Sequence, residues 1–210
     1  MQEVRALRLH IAEYQPDLVV LLDGLNDLTV GETSQALYEI AESEEGFEQP
    51  EHAGDHARRV ADYLGHMRDA AEIATAHGSA LLVVLQPSLI ERSPPSAYEA
   101  GLVHGTTNRF GSVVDLRTSY QAMREGLRSL EEDGLLTFLD ASTAFNDERF
   151  TTFADSWHFA DAGHRILADR MIAAISAILE AENRKQGSEI SRIGVATSTH
   201  SKQLRNAVAR

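Results

Sequence analysis

Three short, uncharged aliphatic runs, at residues 18–22, 80–85 and 135–139, divide this chain into stretches of helical periodicity, and that alternation constrains the fold more than any other feature. The runs are of strand length and rich in Leu and Val. They lack the polar alternation of a half-solvated strand, which is the pattern of strands buried on both faces of a parallel sheet. Between them the apolar residues recur every three or four positions. Val4, Leu7 and Ile11 mark a first helix, stopped by Pro16. Val60, Leu64, Met67, Ala71 and Ala74 mark a second, capped by Asp55 and stopped at Gly78. A third runs from about Leu116 to Glu132, ahead of Gly134, and Ile166, Leu167, Met171, Ile175, Ile178 and Leu179 share one face of a last helix. The order α-β-α-β-α-β-α predicts an α/β fold, a parallel sheet with helices on both faces and active groups at the carboxyl ends of its strands.

Two stretches fall outside this rhythm. Residues 31–54 are polar and acidic and read as a surface excursion that partly covers a strand end. Residues 88–111 contain Pro94, Pro95 and three glycines and read as loop, with one helical turn near Tyr98.

Composition narrows the chemistry. No aliphatic run approaches the ~20 residues that span a bilayer, and no apolar leader follows Met1. The absence of Cys excludes disulfides, thiolate metal sites and a cysteine nucleophile. The net charge of -13 is uneven: residues 184–210 carry six Arg or Lys against one acid, so the strongly acidic remainder repels phosphate backbones and argues against nucleic acid as a partner. The expected division is one domain over residues 1–182 and a basic, disordered tail over 183–210.

Two constellations sit at expected strand ends. Asp23-Gly24-Leu25-Asn26-Asp27 follows the first strand, where the Asn26 amide can donate to a developing oxyanion; such pairs are also ordinary turn formers. Asp155-Ser156-Trp157-His158 follows the third strand. A carboxylate three residues before an imidazole can accept its Nδ1–H and leave Nε2 free as a base, although a capping Asp beside a surface His has the same spacing.

Taken together, these segments resemble the SGNH or GDSL-type serine hydrolases. Pro16-Asp17-Leu18-Val19 leading into Gly24-Leu25-Asn26-Asp27 is similar to that family's P-D-x-V then G-x-N-D block, and Asp155-Ser156-Trp157-His158 followed by Gly163 is similar to its D-x-x-H block. Gln86-Pro87 at the end of the second strand fits as well, and the likeness covers about residues 3–180. The resemblance implies a three-layer α/β/α flavodoxin-like sheet and an esterase needing no metal or cofactor, with a small-molecule ester as substrate. It implies His158 as general base, Asp155 as its orienting partner, Asn26 as oxyanion donor, Gly24 as the turn beside the ligand and Asp27 as a brace of that loop.

The family's G-D-S block, which carries the nucleophilic serine, occurs nowhere in these 210 residues, and neither does a G-x-S-x-G elbow. The expectation is therefore a sheet lacking the family's first two strands, no turnover by these residues alone, and a sticky edge at the first strand that favours self-association. A non-catalytic remnant acting through that edge is the alternative. A second motif match is the D-G-x-N-D magnesium loop of haloacid-dehalogenase-like phosphatases, but residues 1–22 hold neither the D-x-D nor the lysine that family needs. His52 and His56, four apart around Asp55, have metal-like spacing broken by Gly54 and read as a solvated cap. His164 reads as a packing or capping residue, and Trp157 as either a pocket wall or a half-buried support.

Overall fold

The computed structural model describes the backbone of residues 2–28 and 56–208 and the side chains of residues 3–28, 56–107 and 111–184. The elements run α1 (Gln2–Tyr14), β1 (Leu18–Asp23), α2 (His56–Ala76), β2 (Ala80–Leu85), α3 (Ala97–Phe110), α4 (Val113–Glu132), β3 (Thr137–Asp140) and α5 (Asp161–Val208), with a 3-10 turn, Asn26–Leu28, after β1. Met1–Met171 forms one compact unit and Ile172–Arg210, most of α5, another. The acidic stretch 31–54, the Asp55 cap and His52 lie outside the described residues. No described helix is long and apolar enough to cross a membrane.

The expected α/β architecture is present. The strands pair in parallel in the order β1-β2-β3, which is the order of consecutive strands on one side of a doubly wound sheet. Their register sets Asp23 level with Leu85 and Leu85 level with Asp140, so all three strands finish on one edge. β2 is central and buried on both faces. Leu81, Val83 and Leu85 join the main core with Met67 of α2 and Met123 of α4, while Leu82 and Val84 point the other way and are equally buried. β1 pairs with β2 alone among the described residues, and Leu22 is 41% exposed, as befits an edge strand.

Three element boundaries differ from the sequence reading. β3 begins at Thr137 because Leu135 is taken up by the stop of α4, where its N–H donates to the Leu130 carbonyl and the Gly134 N–H to that of Glu131. Gly134 adopts φ +73°, the left-handed residue such a stop requires. Residues 88–111, read as loop, contain the full helix α3. Ser96 caps it through its hydroxyl, which accepts the Glu99 N–H, and the Glu99 carboxylate accepts the Ser96 N–H in return, a complete capping box. α5 continues to Val208 instead of stopping near residue 182, in a stretch that contains no proline. Of the apolar face read for it, Leu167 is buried, whereas Leu179 is 40% exposed.

Candidate active site

Residues 141–160 connect β3 to α5 beyond the carboxyl edge of the sheet. Within them the Ala154 N–H donates to the His158 carbonyl and the Ala160 N–H to that of Thr152, each at 2.8 Å, and Phe153 bridges Phe159 in antiparallel sense. This narrow hairpin carries Asp155-Ser156-Trp157-His158 at its tip. Oδ1 of Asp155 accepts the backbone N–H of Trp157 at 2.9 Å and of His158 at 2.8 Å, while Oδ2 lies 2.7 Å from Nδ1 of His158. An ionised carboxylate can only accept, so Nδ1 carries the proton and Nε2 is left as the basic nitrogen. Burial alone pushes the Asp155 carboxyl up. The hydrogen bonds from His158 and from the two backbone N–H groups outweigh it and hold the group below its usual value. The side chains of His158 and Asp155 are 71% and 49% exposed, so a substrate can reach the ring.

The hairpin is anchored at its base. Phe145, Phe153 and Phe159 pack edge to face in a triangle with ring centroids 5.3–5.5 Å apart. Gly163 lets α5 close on it: a Cβ there would lie 2.4 Å from the Thr152 carbonyl oxygen. Beneath, Arg92 and Glu99 form a fully buried ion pair. The Arg92 guanidinium donates to the carbonyls of Phe145, Glu148 and Phe150, and Oε1 of Glu99 accepts the N–H and hydroxyl of Thr152 and the N–H of Phe153. Burial opposes ionisation of Glu99, but these bonds together with the Ser96 N–H bring its carboxyl down to about 2. No feature of the sequence reading identified this pair. The S-x-x-E at Ser96 was the available signal.

At the other strand end, Gly24 adopts φ +129°, and a Cβ on it would lie 2.7 Å from Leu85 Cδ1, so the turn beside β2 needs glycine. Asn26 opens the 3-10 turn with its side chain exposed, while Leu25 and Leu28 are buried and fix the turn. Asp23, which the sequence reading left without a role, is only 6% exposed. Its Oδ1 accepts the Gly24 N–H at 2.7 Å, and its carboxyl hydrogen-bonds that of Asp27. Burial, with the neighbouring Asp27 and Glu3 carboxylates, pushes Asp23 up to about 8, and burial raises Asp27 too.

The structure thus brings Asp155 and His158 into contact and sets Asn26 on a turn at the same edge of the sheet. Trp157 is half-buried against the core and meets the His158 ring edge to face. His56 Nδ1 lies 3.1 Å from Ser119 Oγ, and His164 packs on Phe159. Among the described residues no group of three or more His, Asp or Glu is placed to hold a metal ion.

No family model matches the sequence, and no curated protein matches it. Among solved structures, a candidate acylhydrolase from Bacteroides fragilis aligns over 84% of this chain and 69% of its own length, with 14% identity and a TM-score of 0.51. A catalytic mutant of an acetylxylan esterase from Geobacillus stearothermophilus aligns over 81% of this chain and 66% of its own length, with 19% identity and a TM-score of 0.47. A further acetyl xylan esterase aligns over 82% and 75%, with 17% identity and a TM-score of 0.46. What the Bacteroides protein and this chain share is the α/β fold.

Proposed function

We propose that this chain carries the base and oxyanion side of a serine ester hydrolase. The observation that carries the reading is the Asp155–His158 contact at 2.7 Å, with the second carboxylate oxygen tied to two backbone N–H groups, on an exposed hairpin beyond the carboxyl edge of a parallel sheet. In the reaction Nε2 of His158 takes the proton of a serine hydroxyl as its oxygen attacks the ester carbonyl. The Asn26 amide donates to the oxyanion, and His158 returns the proton to the departing alkoxide. Water then repeats the cycle on the acyl-enzyme. The serine is not supplied by any G-D-S among these residues.

The test uses 4-nitrophenyl acetate and a fluorophosphonate probe on these 210 residues and on a protein in which a G-D-S block is joined ahead of them. The protein carrying the block is expected to hydrolyse the ester and take the probe at one serine, and His158→Ala in it is expected to lower kcat by about a thousandfold or more. These residues alone are expected to do neither. Unchanged turnover in the His158→Ala protein would remove the assignment. Absence of turnover and labelling in the protein carrying the block would favour the second reading, a non-catalytic protein, motivated by the lack of a G-D-S among these residues.

A further inference from the structure

Helix α3 faces the tip of the hairpin, and three of its hydrogen bonds there fall on the residues either side of Asp155. The Tyr98 hydroxyl donates to the Ala154 carbonyl at 2.7 Å, on one side of Asp155. On the other side, the Ser156 hydroxyl donates to the Leu102 carbonyl at 3.0 Å, and the Thr106 hydroxyl donates to the Ser156 carbonyl at 2.7 Å. Positions 98, 102, 105 and 106 fall on one side of a helix by their three- and four-residue spacing. Gly105, between the last two contacts, has no side chain where Ser156 sits: a Cβ there would lie 2.2 Å from Ser156 Oγ and 3.1 Å from its Cβ. Ser156 and Thr106 are buried, whereas the Asp155 and His158 side chains they flank are solvent-facing.

We propose that α3 is the positioning element of the proposed base, with Gly105 and Ser156 as the fitted pair that fixes where the Asp155 carboxylate points. The idea deepens the hydrolase reading and rests on it for its function. Among the described residues, the hydrogen bonds of the Asp155 and His158 side chains stay within residues 155–158. The direction of the carboxylate follows from the peptide groups on both sides, and those are the groups that α3 holds. Misplacing such a loop by about 1 Å is enough to cost catalysis on the order of a hundredfold, so a clasp with no contact to substrate can still set activity.

The experiment compares Gly105→Ala with Gly101→Ala in the 210-residue protein, reading the Asp155 carboxyl by ¹³C NMR titration and the His158 ring by ¹⁵N shifts. Both substitutions favour the helix, and a Cβ at Gly101 meets nothing within 4 Å. Gly101→Ala is expected to leave both signals as in the parent. Gly105→Ala is expected to return the Asp155 titration to the ordinary carboxylate range and to release His158 from its fixed tautomer, with a melting transition retained. Adding Ser156→Gly to Gly105→Ala removes the side chain that the new methyl meets and is expected to bring both signals back toward the parent. If Gly105→Ala does not fold, Ser156→Ala removes the Leu102 bond without adding volume and is expected to shift the signals in the same direction. Signals unmoved in Gly105→Ala, or in Ser156→Ala where that is the protein measured, overturn the proposal, as does a double variant that recovers nothing. Because no arm reads turnover, loss of the esterase reading and loss of this one are separate results.

Discussion

Two aspartates at one edge of the sheet illustrate how environment decides what a carboxyl does. Asp155 is half-buried and accepts three hydrogen bonds, so it stays ionised and can hold a protonated Nδ1. Asp23 is buried against the Asp27 carboxyl, so burial and that neighbour favour its neutral form. The linkage has a definite sign. A carboxyl raised from 3.8 to about 8 binds a proton in the folded chain that the unfolded chain has lost. Its contribution is complete below about pH 4 and is lost progressively as pH rises to about 8. Asp23→Asn keeps an acceptor for the Gly24 N–H without a titrating charge. Urea unfolding at pH 5 and pH 8 is expected to show the variant more stable at pH 8, by about 1–3 kcal/mol, with a shallower fall between the two. An unchanged pH slope would contradict the assignment. None of this was legible in the sequence, because a D-G pair after a strand reads as a turn and burial is a property of the folded chain.

At the scale of elements, apolar spacing was enough for α1, α2, α4 and the three strands, since each owes its existence to a face turned toward the core. α3 was hidden by Pro94, Pro95, Gly101 and Gly105, residues that argue locally against a helix. Its start is fixed by Ser96 and Glu99, and Gly105 makes room for Ser156, far away in sequence. The same carboxylate that caps the helix pairs with Arg92 and holds Thr152 and Phe153. Glu99→Gln leaves a buried guanidinium without its counter-charge, and removal of one partner of such a pair typically costs about 3–5 kcal/mol. Denaturant unfolding at pH 7 checks this. A loss below about 1 kcal/mol would mean the pair is not an anchor of the hairpin. With its pKa lowered from 4.5 to about 2, the Glu99 contribution is present above about pH 4.5 and is lost as pH falls toward 2, so the deficit of the variant should shrink in acid.

For the molecule as a whole, the parallel order β1-β2-β3 turns three strand ends and their loops to one side, and the two motifs picked from the sequence both follow strands that finish there. The D-x-x-H spacing was a sufficient guide to the Asp155–His158 contact because its hydrogen bonds are local, spanning residues 155–158. The scaffold beneath it, from Arg92 to Gly163, depends on distant packing and left no comparable trace. This scaffold is expected to fix one tautomer of His158, and ¹⁵N NMR of the imidazole at neutral pH tests that claim on these 210 residues without any substrate. The expected spectrum has Nδ1 protonated and Nε2 bare, and Asp155→Asn is expected to change that balance. A ring protonated mainly at Nε2, or one that averages between tautomers as a free histidine does and ignores Asp155→Asn, would contradict the claim.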